Sequence, residues 1–220
     1  MHITDILNKK LLQIGASVSL DKDSNEIGEQ IAYQTTKNRS MEIIRVNDEK
    51  EIWVSFQCGG VFLPSKYFSE IEKVTNTIFE FLELKVPLKD FLNTHIKPPI
   101  DISNLKTDAE IIFEICWFNF LQPSAHDATD SPKWLIIREF ATTIQSIAKA
   151  KKLFPYRSLD RLYFAFDTNN NLDNLPCIWV SSIEKDIPIF TIGYYDGTKL
   201  QSGTAEEIQI AFEEIITKSK

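Results

Sequence analysis

Met41-Glu42-Ile43-Ile44-Arg45-Val46 and Glu51-Ile52-Trp53-Val54-Ser55-Phe56 stand on either side of Asn47-Asp48-Glu49-Lys50. β-Branched and aromatic residues fill both arms and polar turn formers fill the gap. The stretch therefore reads as an antiparallel hairpin. Gly59-Gly60 breaks the pattern just beyond it.

A second β-rich region lies in the last third. Arg161–Asp167, Cys177–Ser182 and Ile187–Tyr195 read as a three-stranded meander, and Asp196-Gly197 turns the chain after it. Ile-Trp-Val-Ser occurs in both regions, at Ile52–Ser55 and Ile178–Ser181. Four shared residues reflect what strands are made of as readily as a duplication.

Helical periodicity occupies the rest. Ile3, Leu7, Leu11 and Ile14 form one stripe, with Thr4 as its expected cap and Gly15 as its stop. Residues 16–40 are polar and ambiguous, with a helix over Glu26–Thr35 as one reading. After Pro64, the stripe Phe68, Ile71, Val74, Ile78, Phe81 and Leu82 predicts a long helix. Leu88–His95 reads as a short helix ending before Pro98-Pro99. Thr107 with Glu110 is a capping-box pair that opens a helix apolar nearly all round from Ile111 to Leu121. Ser131-Pro132 opens another, with Ser as cap and Pro at the first helical position. Thr204–Lys218 closes the chain as an amphipathic helix. Strand clusters set apart from helices predict an α+β class. The expectation is a hairpin and a three-stranded meander flanking a helical middle, with five to seven helices in all. The 220 residues form one domain or two lobes with a seam near 97–106.

Lys plus Arg number 24 and Asp plus Glu 31, a formal charge of −7. A net-negative surface repels nucleic acid and anionic membranes, so neither is expected as the main partner. No apolar run approaches the ~20 residues that a membrane span needs. The opening residues lack a basic segment followed by an apolar one, so the expectation is a cytoplasmic protein. Fifteen Phe and four Trp supply a large aromatic payload.

Cys58, Cys116 and Cys177 fit no zinc or redox spacing and read as reduced thiols. Cys58 precedes Gly59-Gly60, where a substrate could approach the backbone closely. With His126 or His95 as base, it would make a cysteine-dependent hydrolase or transferase. Asp167-Thr168-Asn169-Asn170-Asn171-Leu172-Asp173 places oxygen side chains at alternate positions, as calcium loops do, but lacks their glycine and closing Glu. His126-Asp127 with Asp130 offers too few histidines for a hydrolase metal site. No cofactor or metal is expected.

Lys149, Lys151, Lys152 and Arg157 form the basic cluster, read as a helix end complementing its dipole or as an anion site. Glu206, Glu207, Glu213 and Glu214 on the closing helix, with Glu70 and Glu72 further back, form the acidic faces. The chain carries no phosphate loop, dinucleotide fingerprint, nucleophile elbow or zinc-protease motif. The expectation is a non-catalytic module that binds a basic protein, for instance an immunity or antitoxin protein masking a basic toxin.

Overall fold

The computed structural model describes residues 1–24, 29–45, 50–122, 131–166, 176–194 and 196–218. Its class is α+β, built on two antiparallel five-stranded sheets. The chain divides into two compact units, Met1–Ile115 and Cys116–Lys220. The division falls inside one helix, and Pro98-Pro99 lies within the first unit.

In the first unit, helix α1 (Ile3–Gln13) precedes strands β1 (Asp21–Ser24), β2 (Gln30–Thr35), β3 (Arg39–Arg45), β4 (Ile52–Cys58) and β5 (Val61–Phe68). Helix α2 (Ile71–Ile78) follows and runs into a π-helical turn, Phe79–Glu83. Helix α3 (Leu88–His95) and the start of α4 (Asp108–Leu121) complete the unit. The strands pair in chain order as a meander.

The hairpin expected around residue 47 is present as β3 and β4, with Ile43 opposite Val54 and Ile44 opposite Trp53. It belongs to a wider sheet. The helix expected over Glu26–Thr35 is corrected: Gln30–Thr35 is a strand paired along its whole length with β3. Ile31, Tyr33 and Thr35 alternate with residues of the other face, and ladder pairing outweighs any helical preference. The helix expected after Pro64 is also shorter. Phe68 ends β5, and the helix begins at Ile71.

Pro64 is tolerated inside a strand because it sits at a β-bulge, where the ladder loses pairing anyway. Cys58 pairs with Val61, so Gly59-Gly60 forms a two-residue hairpin turn. Both glycines have positive φ, 55° and 79°, as a twist-matched tight turn requires. His2, rather than Thr4, caps α1: its Nδ1 accepts the Thr4 N–H at 3.3 Å, and Thr4 itself is buried.

One face of this sheet is covered by helices. Phe56 on β4 meets Phe81 of the π turn and Phe91 of α3, each at 5.4 Å between ring centroids. Ile3, Leu7, Leu11, Val74 and Ile78 are fully buried with Ala32 and Ile43. Among the described residues, Arg39 is the one buried cation there. Its guanidinium donates to the Phe81 carbonyl and to Asp108 Oδ2, each at 3.1 Å. Asp108 Oδ1 accepts the Leu88 N–H at 2.8 Å, so one carboxylate joins β3 to the starts of α3 and α4. Thr107 and Glu110 form the expected capping box, Thr107 N–H donating to Glu110 at 3.1 Å and Glu110 N–H to Thr107 at 3.2 Å.

The second unit again sets a five-stranded meander between helices. Helix α5 (Pro132–Ala150) precedes β6 (Phe154–Ser158), β7 (Arg161–Ala165), β8 (Cys177–Glu184), β9 (Ile187–Gly193) and β10 (Lys199–Gly203), and α6 (Ala205–Lys218) closes it. Ser131 caps α5 by accepting the Trp134 N–H at 3.1 Å. The expected three-stranded meander is its centre, extended by β6 and β10. Phe140 of α5 stacks on Phe190 of β9, and Phe212 of α6 on Phe164 of β7, at 4.6 and 4.7 Å. Trp117 of α4 is fully buried and donates to the Leu153 carbonyl at 3.0 Å.

The shared Ile-Trp-Val-Ser falls on the fourth strand of the first unit and the third strand of the second. The tetrapeptides therefore do not occupy equivalent places in the two meanders.

Candidate partner-binding face

Antiparallel partners share a side of the sheet, and neighbours along a strand alternate sides. Register therefore sorts the first unit's strand residues between the helix-covered face and the opposite one. Lys22, Arg39, Arg45 and Lys66 align with Ala32, Met41, Ile43 and Val54 on the helix side. Asp21, Asp23 and Glu42 align with Tyr33, Ile31 and Ser55 on the other. Every cation on these five strands is thus on the covered side and every carboxylate on the far side.

The far side is also aromatic. Ile31, Ile44, Trp53 and Tyr67 line up as one cross-strand row, and Tyr33 and Phe62 flank it. Phe62 and Tyr67 are 64% and 63% exposed, Tyr33 is exposed, and Trp53 and Ile44 are half-buried. Phe62 and Tyr67 lie five positions apart, which in a regular strand would put them on opposite faces. The bulge at Pro64-Ser65 adds one residue to β5 and brings both to the far side. Glu42 is exposed at the centre of this face. Large exposed rings are thus gathered on the same side as the carboxylates.

The residues singled out in the sequence are placed as follows. Cys58 is buried, and burial raises its thiol pKa, with Arg39 opposing. His95 is already engaged: its Nε2 lies 2.8 Å from Glu80 Oε2, its Nδ1 3.4 Å from Thr77 Oγ1, and its ring stacks on Phe91. No hydrogen bond joins it to Cys58. His126, Asp127 and Asp130 lie outside the described residues, as does Asp167–Asp173. Burial pushes the Cys116 thiol up to about 12 and raises that of Cys177. Thiols held protonated in this way are poor nucleophiles. Among the described residues, no three His, Cys, Asp or Glu side chains gather to hold a metal ion.

The acidic helix residues divide between the two units. Glu207 caps α6 by accepting the Thr204 N–H at 2.8 Å, and Glu214 lies 3.7 Å from Lys218. Glu70 pairs with Lys73 at 2.6 Å and Glu72 with Lys10. Glu206 and Glu213 are exposed on α6. Glu70 and Glu72 belong to the first unit and the other four to the second.

The basic cluster lies at the end of α5 and on β6. Lys149 is in the last turn of α5, and Lys151 is its C-cap. Lys152 follows at a positive φ of 56°. Arg157 stacks over the Trp134 ring at 4.3 Å and donates to the Leu159 carbonyl at 3.2 Å.

A groove of about 530 Å³ in the first unit is lined by Ser17, Ser19, Gln34, Thr35, Glu83 and Lys85. Glu83 is tied there by the Ser17 hydroxyl at 2.7 Å and the Val18 N–H at 2.9 Å. That carboxylate pins the segment before β1 to the π turn.

The aromatic far face is the candidate feature that the sequence analysis missed. Its signal is the alternation Asp21-Lys22-Asp23, which yields its meaning only when a register assigns sides. No helix among the described residues is long and apolar enough to cross a membrane. No family description, no curated protein and no solved structure matches the chain.

Proposed function

We propose that this protein is a non-catalytic binding module that docks a basic protein on the far face of its first sheet. One observation carries the reading: the five strands send Asp21, Asp23 and Glu42 to the same side as Tyr33, Trp53, Phe62 and Tyr67, and send no lysine or arginine there. Rings supply contact area, and carboxylates supply steering and selectivity for a positive partner. The chain's formal charge of −7 acts in the same direction at long range. An immunity or antitoxin protein that masks a basic toxin in the cytoplasm has this requirement: a stable scaffold, a negative face and no chemistry. The cysteine-dependent alternative has no comparable support, because Cys58 is buried and protonated.

The test is site-specific photo-crosslinking in the source cell. A crosslinker replaces Tyr67 in one variant and exposed Ile210 on α6 in another. The expected result is a stoichiometric adduct with a basic protein from the Tyr67 position, weakened by salt and abolished by Glu42→Lys. Equal adducts from both positions, or capture indifferent to Glu42→Lys, would sink the reading. Rescue of growth on co-expression with the captured protein tests the neutralising role.

A further inference from the structure

We propose that the docked protein places an arginine against the Trp53–Tyr67 pair, its guanidinium stacked on the rings and paired with Glu42. This deepens the docking reading above and rests on it. The observation behind it is an internal contrast. Trp53 and Trp179 occupy the same Ile-Trp-Val-Ser context, and both are half-buried on the far side of their sheets.

Trp179 has Arg161 as its cross-strand neighbour, with the guanidinium carbon 4.8 Å from the ring centroid. Trp53 has Ile44 and Tyr67 as its cross-strand neighbours. Among the described residues no cation lies over its ring, nor over that of Tyr67. The second unit thus covers its tryptophan ring with its own arginine, whereas among the described residues of the first unit Trp53 has no such cation and shares its side of the sheet with Glu42.

Glu42 sits one row along from Trp53, diagonal across β3 and β4, since Ile44 is the residue opposite Trp53. Diagonal neighbours lie ~7–8 Å apart, within the reach of one arginine side chain. A guanidinium can lie flat on a ring and still direct N–H groups in its plane at a carboxylate. An ammonium is a compact, strongly hydrated point charge and gains less from the ring. The face is open rather than enclosed, so a lone guanidinium gains little. The arginine has to belong to a surface with further contacts.

The intact chain can be titrated with hexa-arginine and hexa-lysine peptides of equal charge. The readouts are the Trp53 indole ¹H–¹⁵N resonance, assigned with Trp53→Phe, and that of Trp179. The expected result is a shift of Trp53 alone, with hexa-lysine binding about two- to fivefold weaker than hexa-arginine. Tyr67→Ala should weaken hexa-arginine by a similar factor, and Glu42→Gln should reduce the arginine preference. Equal affinity for the two peptides, or a Trp53 resonance that does not move, overturns the arginine assignment. Docking on this face would then stand or fall on the crosslinking at Tyr67, so the two failures are distinguishable.

Discussion

Each unit sets five meandering strands between helices, yet their far faces differ. In the first unit that face presents Tyr33, Phe62 and Tyr67 to solvent among Asp21, Asp23 and Glu42. In the second, Tyr163, Cys177 and Thr191 on the far side are buried, and Arg161 is stacked on Trp179. The helix-covered faces, by contrast, are alike in kind: stacked phenylalanines and aliphatic stripes. Meander topology sets which residues share a side, and the identities at far-side positions decide whether that side is exposed or closed.

The comparison can be broken from either unit. The largest effect is expected from Asp108→Ala. It leaves the buried Arg39 without its carboxylate partner and removes the acceptor of the Leu88 N–H. A loss of about 2–3 kcal/mol in urea denaturation is expected, because the buried guanidinium loses its charged acceptor, a carboxylate that is itself 42% exposed. Asp108→Asn retains an acceptor for Leu88 and should lose less.

Gly193→Ala comes next and acts on the second unit. A Cβ there would collide with the Thr198 carbonyl oxygen and sit 2.9 Å from Trp179 Cη2. Overpacking of this kind costs about 1–3 kcal/mol, and the Trp179 indole resonance should shift with it.

Acid gives the smallest and most diagnostic difference. In the first unit, Glu72 is held below its ordinary value of 4.5 by Lys10, and Glu83 by the Ser17 hydroxyl. Backbone N–H groups do the same for Asp101 and Glu110. In the second unit, Asp196 is lowered by the Thr198 N–H. A carboxylate with a depressed folded pKa contributes stability above its unfolded value, and that contribution is lost as pH falls through the folded pKa. Between neutral pH and about pH 3, the Trp53 resonance should therefore reach its urea midpoint at lower denaturant, with a smaller change at Trp179. Equal shifts at the two indoles would contradict the contrast.

Much of the fold was legible from local chemistry. Ser131-Pro132, the Thr107–Glu110 pair and the hairpin around residue 47 each carry their signal within a few residues. β1, β2, β5, β6 and β10 were not legible: Asp21-Lys22-Asp23-Ser24 or Lys199–Gly203 read as polar loops until a neighbouring strand pairs with them, and Phe68 of β5 fits the helical stripe that follows it. The candidate face was hidden for the same reason. Charge alternation along one strand is ambiguous, and five strands in register make it a sided surface. Arg39 gave no sign of its burial, since its partners come from the π turn and α4, far along the chain.

At Pro64-Ser65 two residues of β5 stand opposite Ser55 alone. Deleting one of them would leave Phe62 and Tyr67 four positions apart, on the same face of a regular strand, with Tyr67 still opposite Trp53 and Phe68 still turned inward. Forcing the strand into a regular pleat with both residues retained would instead turn Tyr67 inward and end the ring row at Trp53. A relative with a one-residue gap at this point would therefore keep the surface, because the gap removes the kink and the need for it together.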